Sequence, residues 1–377
     1  MDLATIFKAY DIRGRVPRDL GVETARRIGF GFARFAEAPA VAVGRDCRLS
    51  SPALAAAFAG GMSAAGAAAV DLGQTTTDMV YFAAGRYDMP GAMVTASHNP
   101  PEWNGIKLCL AGARPVGEDS GLGEVRRIAE APVPDGSGEG FREVWDISAD
   151  YVDHLFGVVS AGRMGSLRIV VDGGNGMAGC VLPAVMARTP VAMKGLYLEP
   201  DGTFPNHPAD PLRPENLVDL IREMESSKPD LGIAFDGDAD RAFFVDDRMQ
   251  PLPGSTVTAI IAAWFLQREP GAAIVHNLIC SRAVPEAVRR GGGTPIRTRV
   301  GHSFIKQVMA ESGAVFGGEH SGHYYFRDNY RADSGILASL VVLQVVSEAG
   351  VPLSELRMAY EPYYQSGEIN LVVDDPV

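Results

Sequence analysis

Three aspartates at alternate positions follow directly on an apolar stretch of the chain. The stretch is Leu231–Phe235, and the acids are Asp236, Asp238 and Asp240. Carboxylates this close together raise one another's pKa values, and a divalent cation relieves the conflict. A set of ligands made only of oxygen favours Mg²⁺, Mn²⁺ or Ca²⁺ over zinc. The spacing therefore predicts a metal site at the end of a buried strand.

Three other interpretations of the acidic segment have to be weighed. An EF-hand needs Gly at the sixth loop position and Glu at the twelfth, where this chain has Arg241 and Asp247, so that interpretation fails. Asp236 is alternatively a nucleophile that forms an aspartyl-phosphate, with Asp238 as acid–base. A solvated acidic turn is the third possibility. The metal site is favoured because such an apolar strand seldom ends in three acids by accident.

A serine on a turn is the candidate nucleophile. Ser97 lies in the segment 95–100, after an apolar pair and before two prolines that stop a helix. A hydroxyl on such a stiff support suits a nucleophile or phosphate carrier, although a plain polar turn explains these six residues equally well. Phosphoryl transfer needs an oxygen nucleophile, a cation and basic side chains around the phosphate. Ser97, the three aspartates, Arg13, Lys107 and Arg241 together provide this set.

The segment Gly317–His323 combines a flexible backbone with side chains that suit sugar hydroxyls. Glu319 is an acceptor, Ser321 offers a hydroxyl, and His320 and His323 are imidazoles. The two histidines alternatively bind a metal ion, but the flanking glycines and the missing third ligand argue against this. The segment is therefore predicted to bind a sugar.

A second glycine-rich segment has to be tested as a dinucleotide site. Gly174, Gly176 and Gly179 fit the GxGxxG pattern after an apolar strand. The acidic partner expected about twenty positions later is not convincing, because Glu199 precedes a proline in a loop. Tight packing of the strand on a helix explains these glycines equally well.

Composition and charge exclude several classes of protein. The chain has 377 residues, of which 46% are hydrophobic and 21% charged, with a net charge of −12. The acidic balance argues against nucleic acid, which needs a basic face. The N-terminus shows no signal peptide, and apolar runs stop well short of a membrane span, so no membrane partner is expected. Four widely spaced cysteines without a CxxC pair predict reduced thiols and a cytoplasmic location.

Strands alternate with helices along the chain, which predicts an α/β fold with mixed, mostly parallel sheets. We expect three successive related domains around a central cleft, at 1–147, 148–250 and 251–362, although no clear repeat of residues is found. Helices are expected over 22–36, 52–69 and 149–159, and Lys8–Gly14 is expected to be a loop. The tail 363–377, with a strand over 368–373, is predicted to start an incomplete fourth domain.

Four separated motifs resemble the α-D-phosphohexomutase superfamily, and within it the bacterial phosphomannomutase/phosphoglucomutase type. They follow the order of that family and span most of the chain: KAYDIRG at Lys8–Gly14, TASHNP at Thr95–Pro100, DGDADR at Asp236–Arg241 and GEHSGH at Gly318–His323. The resemblance implies that Ser97 is a phosphoserine whose phosphate joins the three aspartates on one Mg²⁺. It also implies a cycle through a hexose 1,6-bisphosphate, which serves as activator.

The resemblance also assigns roles to residues around the phosphate and the sugar. It places Lys107, Arg241 and His302 with Ser97 in the catalytic set. It implies that Glu319, Ser321 and His323 hold sugar hydroxyls. Other residues are expected around the substrate: Tyr10, Arg13 and His98.

The expected substrates are hexose phosphates, with mannose phosphate first and glucose phosphate second. Phosphoglucomutase and phosphoglucosamine mutase are the alternatives, but the latter more often carries Gln at the position of His320 and Ser in place of Thr95. A monomer or weak homodimer is expected.

The family's fourth domain grips the non-reacting phosphate, and we expect it to be largely absent here. Its loss predicts weaker binding and poor turnover, although Ser97 can still be phosphorylated. The competing class is a sugar-phosphate binding protein that does not turn over. The intact motifs argue against it, because a mere binder does not need a nucleophile and its metal.

Overall fold

Three sheets follow one another along the chain, each with helices packed against it. The computed structural model describes residues 3–134 and 140–364. The first sheet has strands β1 Ile12–Arg15, β2 Ala40–Arg45, β3 Ala68–Gln74, β4 Gly91–Val94, β5 Trp103–Leu110, β6 Arg114–Pro115 and β7 Phe141–Val144. Its helices are α1 Val22–Ala36, α2 Ser51–Ala64, α3 Thr77–Arg86 and α4 Leu122–Ala129.

The second and third sheets are smaller. The second has strands β8 Arg168–Asp172, β9 Ala192–Leu196, β10 Leu231–Phe235 and β11 Ala242–Asp246, with helices α5 Ser148–Val158, α6 Leu182–Met186 and α7 Val218–Ser227. The third has strands β12 Ala273–Asn277, β13 Thr294–Thr298, β14 Phe316–Gly318 and β15 Tyr324–Phe326. Its helices are α8 Gly254–Arg268, α9 Ala283–Arg290, α10 His302–Ser312, α11 Gly335–Ala349 and α12 Leu353–Leu356.

The same four-strand pattern occurs in all three sheets. The strand orders are β3-β2-β4-β5, β9-β8-β10-β11 and β13-β12-β14-β15, and the first sheet adds β1, β6 and β7 at its edges. In each pattern the last two strands are antiparallel and the other neighbours are parallel. The predicted mixed α/β sheets in three related units are therefore confirmed. The repeat exists in topology and not in residues.

Apolar faces explain why these segments fold as they do. Strand β10 is buried along its whole length, as its sequence LGIAF requires. Helix α1 buries one face, including Ile28 and Phe32, and the ring of Phe32 lies 6.2 Å from that of Phe58 on α2. Each unit thus covers its sheet with apolar helix faces and leaves the loops at the strand ends for polar side chains.

Two local predictions are wrong. Lys8–Gly14 is not entirely a loop, because its last residues begin β1, which pairs antiparallel with β5. The helix expected over 52–69 ends at Ala64, and β3 starts at Ala68. Alanine favours helix, but Gly66 at φ +91° ends it and the buried Val70 packs as part of a strand.

The predicted strand over 368–373, and all of the tail beyond residue 364, lie outside the described residues. Within the described ranges no single helix has the length and apolar character to cross a membrane. One pair of helices bent by 89°, Gly335–Ala349 with Leu353–Tyr360, meets that test on length and composition alone.

A buried carboxylate joins the three units. Asp78, in the first turn of α3, accepts hydrogen bonds from the hydroxyls of Thr76, Tyr151 and Ser334. Tyr151 lies on α5 of the second unit, and Ser334 caps α11 of the third. Burial raises the pKa of Asp78 to about 6, although the three hydroxyls oppose the shift.

This raised pKa predicts a specific pH dependence of stability. The folded protein holds a proton on Asp78 more tightly than the unfolded chain, whose value is near 3.8, so stability falls as the pH rises between 3.8 and about 6. Relative to Asp78→Asn, we expect the wild type to lose on the order of 3 kcal/mol from about pH 4 to about pH 7. Denaturant unfolding of both proteins across this range measures the difference. A gap between them that is constant with pH contradicts the prediction.

Candidate active site

The three predicted functional loops occupy the same place in their units. Each connects the third and fourth strands of the shared pattern: β4 to β5, β10 to β11, and β14 to β15. All three loops meet at a cavity of about 170 Å³ between the units. The predicted site residues that line it are Tyr10, Arg13, Ser97, His98, Lys107, Asp240, Arg241, Glu319, Ser321 and His323.

Ser97 lines this cavity, and its hydroxyl is directed at the acidic loop. Its Oγ donates a hydrogen bond to Oδ2 of Asp236 across 2.6 Å. The backbone at Ser97 has φ +52°, which is uncommon for a residue other than glycine and indicates a conformation held by its surroundings. Part of that support is the hydrogen bond from its N–H to Oγ1 of Thr95, 2.9 Å long.

The three aspartates form a compact buried cluster. Asp236, Asp238 and Asp240 are each at most 1% exposed, and each offers one oxygen within 4.8 Å of the others. Lys107 Nζ lies 2.7 Å from Oδ2 of Asp238 and also contacts Asp240. Among the described residues, the Oδ1 atoms of Asp238 and Asp240 have no hydrogen-bond partner. Oxygens left open in this way fit a divalent cation, so the donor set agrees with the predicted metal site.

The surroundings shift the pKa values of Asp236 and Asp238 in opposite directions. Burial, with the charges of the two neighbouring aspartates, raises the pKa of Asp236 to about 7. Burial on its own would raise the pKa of Asp238, but the charge and hydrogen bond of Lys107, the hydrogen bond from Thr77 and the charge of Arg241 together lower it. Burial would lower the pKa of Lys107, yet Asp238 and Asp240 raise it. Lys107 is therefore a permanent positive charge in the cluster.

Arg241 and His98 complete the surroundings of the hydroxyl. Arg241 Nε donates to Oδ2 of Asp236 across 2.9 Å, and its Nη2 lies 3.3 Å from Ser97 Oγ. The Nδ1 atom of His98 accepts from Arg241 Nη2 and lies 3.2 Å from Ser97 Oγ. Burial and the charges of Arg241 and Arg13 lower the pKa of His98 to about 2, so its ring is neutral. A neutral ring can accept a hydrogen bond from the guanidinium without adding charge to the site.

Arg13 and Tyr10 come from the start of the chain. Arg13, on β1, pairs with Asp11 and donates to the side chain of Asn99 beside the serine. Tyr10 donates its hydroxyl hydrogen to the carbonyl of Val300, 2.9 Å away in the third unit. The first predicted motif therefore faces both the serine loop and the third unit.

In the third loop the side chains are held by residues beneath it. Glu319 Oε2 accepts from Asn277 Nδ2 across 2.8 Å and is 3.4 Å from the hydroxyl of Ser321. His323 donates from Nδ1 to Oδ2 of Asp333 across 2.9 Å. Burial opposes protonation of His323, but Asp240 and Asp333 raise its pKa. His302 begins α10, and the side chain of this residue is outside the described part, so its predicted role stays a prediction.

Arg48 is a site residue that the sequence did not reveal. Its fully buried guanidinium pairs with Asp46 across 3.0 Å. It donates to four carbonyl oxygens in and directly after the serine loop, at distances of 2.6 to 3.0 Å: those of Ser97, Asn99, Pro100 and Trp103. The available signal was the pair of opposite charges directly after a buried strand, which gives no hint of these distant acceptors.

Thr77 is a second site residue that the sequence does not reveal. At the start of α3 its Oγ1 donates to Oδ2 of Asp238, and its N–H donates to the Asp238 carbonyl across 3.1 Å. The first unit therefore fixes both the side chain and the backbone of one candidate metal ligand. Three threonines in a row before an acid carry no pattern that predicts this contact.

Close backbone contacts explain the glycine-rich segment after β8. A Cβ atom on Gly176 would lie 2.7 Å from the carbonyl oxygen of Gly237, and one on Gly237 would lie 2.4 Å from that of Ser97. The segment continues into a 3-10 turn and the five-residue α6, not into the long helix that a dinucleotide site needs. Gly176 therefore serves close packing against the acidic loop, and not the packing of the strand on a helix that was the second interpretation.

Three domains of one known protein family match almost the whole chain. Residues 4–131, 149–250 and 253–363 match domains I, II and III of phosphoglucomutase/phosphomannomutase. Phosphomannomutases of Salmonella montevideo and Escherichia coli K12 are each 40% identical over all of this chain and 85% of their own length. A crystal structure of a phosphoglucomutase/phosphomannomutase family protein from Burkholderia thailandensis has a TM-score of 0.87 at 35% identity, over 96% of this chain and 80% of that one.

These matches, together with the site, define a phosphohexomutase, which is an isomerase. The chain belongs to the phosphoglucomutase/phosphomannomutase family. The family resemblance inferred from the four motifs is thus confirmed. The cluster of Asp236, Asp238 and Asp240 is where this chain could hold a metal ion.

The contact between Gly237 and the serine loop predicts a strong effect of one methyl group. Gly237→Ala would push a Cβ to 2.4 Å from the Ser97 carbonyl, so the two loops must separate. We expect mutase activity to fall about 100-fold, as small misplacements of reacting groups do. Gly60→Ala is the matched control, because a Cβ there meets nothing within 4 Å. Steady-state assays measure the activity of both variants, and equal activities would contradict the prediction.

The raised pKa of Asp236 predicts pH-dependent metal binding. A cation requires the ionised carboxylate, and burial holds the pKa of this group at about 7 in the metal-free protein. Affinity for Mg²⁺ or Mn²⁺ is therefore expected to fall about tenfold per pH unit below that value. Calorimetric titration with either ion measures it, and Asp236→Asn should bind more weakly with a flatter pH profile. An affinity that stays constant from about pH 6 to about pH 8 would contradict this prediction.

Proposed function

We propose that the protein is a phosphomannomutase that interconverts mannose 1-phosphate and mannose 6-phosphate, with glucose phosphates as further substrates. The observation that carries the proposal is the 2.6 Å hydrogen bond between Ser97 Oγ and Asp236, inside a cluster of three carboxylates and two basic side chains. The choice of mannose is supported by the relatives at 40% identity, which are phosphomannomutases.

Each half-reaction moves one phosphoryl group between Ser97 and the sugar. Phosphorylated Ser97 meets the free hydroxyl of a hexose monophosphate. The bond from phosphorus to Oγ breaks, a bond to the sugar oxygen forms, and the hydroxyl proton passes to a base. The hexose 1,6-bisphosphate turns within the cavity, and the bond between its other phosphorus and the sugar oxygen breaks as a bond to Oγ forms. The freed sugar oxygen takes the proton back from the base, so the serine ends phosphorylated again. Added bisphosphate acts as activator because it phosphorylates Ser97 directly.

Fixed charges stabilise the phosphoryl group during this transfer. Lys107 and Arg241 stay protonated, because the neighbouring carboxylates raise the pKa of each despite burial. Mg²⁺ on Asp236, Asp238 and Asp240 would supply further positive charge to the phosphoryl oxygens when bound. His98, neutral in its buried position, accepts from Arg241 and thereby orients that guanidinium toward Ser97. Positioning and charge are what this reaction chiefly requires.

The remaining cavity residues are assigned to the sugar and its second phosphate. Glu319, Ser321 and His323 come from one loop and present acceptors and donors to the cavity, which suits the hydroxyls of a hexose. Tyr10 and Arg13 line the same cavity, and the guanidinium suits a phosphate. We assign His302 to the catalytic set on the resemblance of its sequence motif alone.

Two alternatives belong to this proposal. Phosphoglucomutase or phosphoglucosamine mutase activity would use the same serine and metal cluster, so a panel of hexose phosphates distinguishes them. A sugar-phosphate binding protein without turnover would bind the panel and convert none of it. A cytoplasmic monomer or weak homodimer, with domain boundaries near residues 147 and 250, remains the prediction from the sequence.

Removal of one hydroxyl tests the function. Ser97→Ala is expected to abolish conversion of mannose 1-phosphate to mannose 6-phosphate in a coupled assay with Mg²⁺ and catalytic glucose 1,6-bisphosphate. Ser226→Ala, on an exposed position of α7, is the control and should keep wild-type activity. Intact mass should show one phosphoryl group on the wild type after incubation with the bisphosphate, and none on Ser97→Ala. A wild type that is neither active nor phosphorylated would exclude the proposed mechanism.

A further inference from the structure

A buried lysine beneath the sugar loop has no part in the function described so far. Lys306 lies on α10 and is 2% exposed. Its Nζ is 2.8 Å from Oδ1 of Asp333 and 3.6 Å from the centre of the Tyr81 ring. The lysine therefore contacts the third unit and α3 of the first unit at once. Burying an ammonium group is costly, and these two contacts offset that cost.

Asp333 connects this lysine to the sugar loop. One carboxylate oxygen contacts Lys306, while the other accepts the hydrogen from Nδ1 of His323, 2.9 Å away. The backbone of Asp333 also pairs with that of Tyr325, whose ring stacks on His323 with centres 6.2 Å apart. Because Nδ1 is used by Asp333, Nε2 is the ring nitrogen left to meet a sugar hydroxyl.

The position of Asp333 needs a positive charge beside it. Oxygens of Asp333 and Asp240 and a nitrogen of His323 lie within 4.8 Å of one another. Two carboxylates this close repel strongly when both are buried. Lys306 balances Asp333, as Lys107 and Arg241 balance the metal cluster. Without Lys306, repulsion from Asp240 would favour rotation or protonation of the Asp333 side chain. His323 would then lose its fixed acceptor.

We propose that Lys306 is a positioning residue: it holds Asp333, and through Asp333 it fixes the orientation and the Nδ1 proton of His323 for recognition of the hexose. The inference rests on the proposed function only where it concerns the sugar. The state of the His323 ring in the resting protein is independent of substrate and turnover.

Kinetics of charge-balanced variants provide the first test. Lys306→Met keeps the length of the side chain but removes its charge, and we expect KM for the hexose phosphate to rise at least 10-fold, with a smaller fall in kcat. In the double variant Lys306→Met, Asp333→Asn both charges are gone and an amide oxygen can still accept from His323. Its KM should return at least threefold toward the wild type. Lys194→Met, which breaks an exposed pair with Glu223, is the control for a lost lysine.

Nitrogen NMR of the histidine rings provides the second test and needs no substrate. The protein has seven histidines, and His323→Gln identifies the signals of residue 323. In alkaline buffer the wild type should show His323 with its proton on Nδ1. Lys306→Met should show a mixture of both tautomers, whereas Lys194→Met should match the wild type.

The outcomes separate this inference from the proposed function. A wild type that lacks mutase activity but shows the Nδ1 tautomer, lost in Lys306→Met, overturns the function and supports the positioning role. Unchanged KM and unchanged ring signals in Lys306→Met overturn the positioning role. If Lys306→Met does not fold, the double variant decides: it supports charge balance by folding with KM nearer to the wild type, and overturns it by failing as the single variant does.

Discussion

Burying three carboxylates at one point is the constraint on which the rest of the structure depends. Two unit charges 4 Å apart repel by about 4 kcal/mol at the effective dielectric constant of a protein, so Asp236, Asp238 and Asp240 cannot stay together without nearby cations. Arg241 comes from the same loop, but Lys107 comes from the first unit. The second unit therefore cannot complete its own charge balance. The candidate site is therefore also one of the places where the units are held together.

The repeated topology is what brings the remaining groups to that point. In each unit the connection between the third and fourth strands brings polar side chains to the cavity: a serine, an acidic cluster, and the loop with Glu319, Ser321 and His323. Three copies of one supersecondary pattern, facing a common cavity, have thus been given three different tasks. Asp78 stabilises this arrangement, since its carboxylate accepts hydrogen bonds from hydroxyl groups of all three units.

The parts that could be predicted from sequence are those with a local signature. An apolar strand followed by alternating aspartates can be recognised in the sequence, and so can a serine turn between an apolar pair and prolines. Arg48, Thr77 and Lys306 have no such signature, because each acts on atoms distant in the chain: loop carbonyls, an aspartate of the second unit, or Asp333. The end of α2 was misplaced for a related reason. Alanine favours a helix, and only the tertiary sheet makes Ala68 the start of a strand.

The nucleophile and the sugar loop are held by contacts of different kinds. The backbones of Ser97 and Gly237 lie so close that a Cβ on Gly237 would be 2.4 Å from the Ser97 carbonyl oxygen, which leaves no room for a side chain there. His323 instead reaches its place through a chain of side chains, Asp333 and Lys306. Backbone contacts have no rotamers to exchange, whereas side chains can be replaced one at a time. A change of one side chain at Asp333 or Lys306 would therefore act on His323 while the close backbone contact between the serine loop and the acidic loop stays in place.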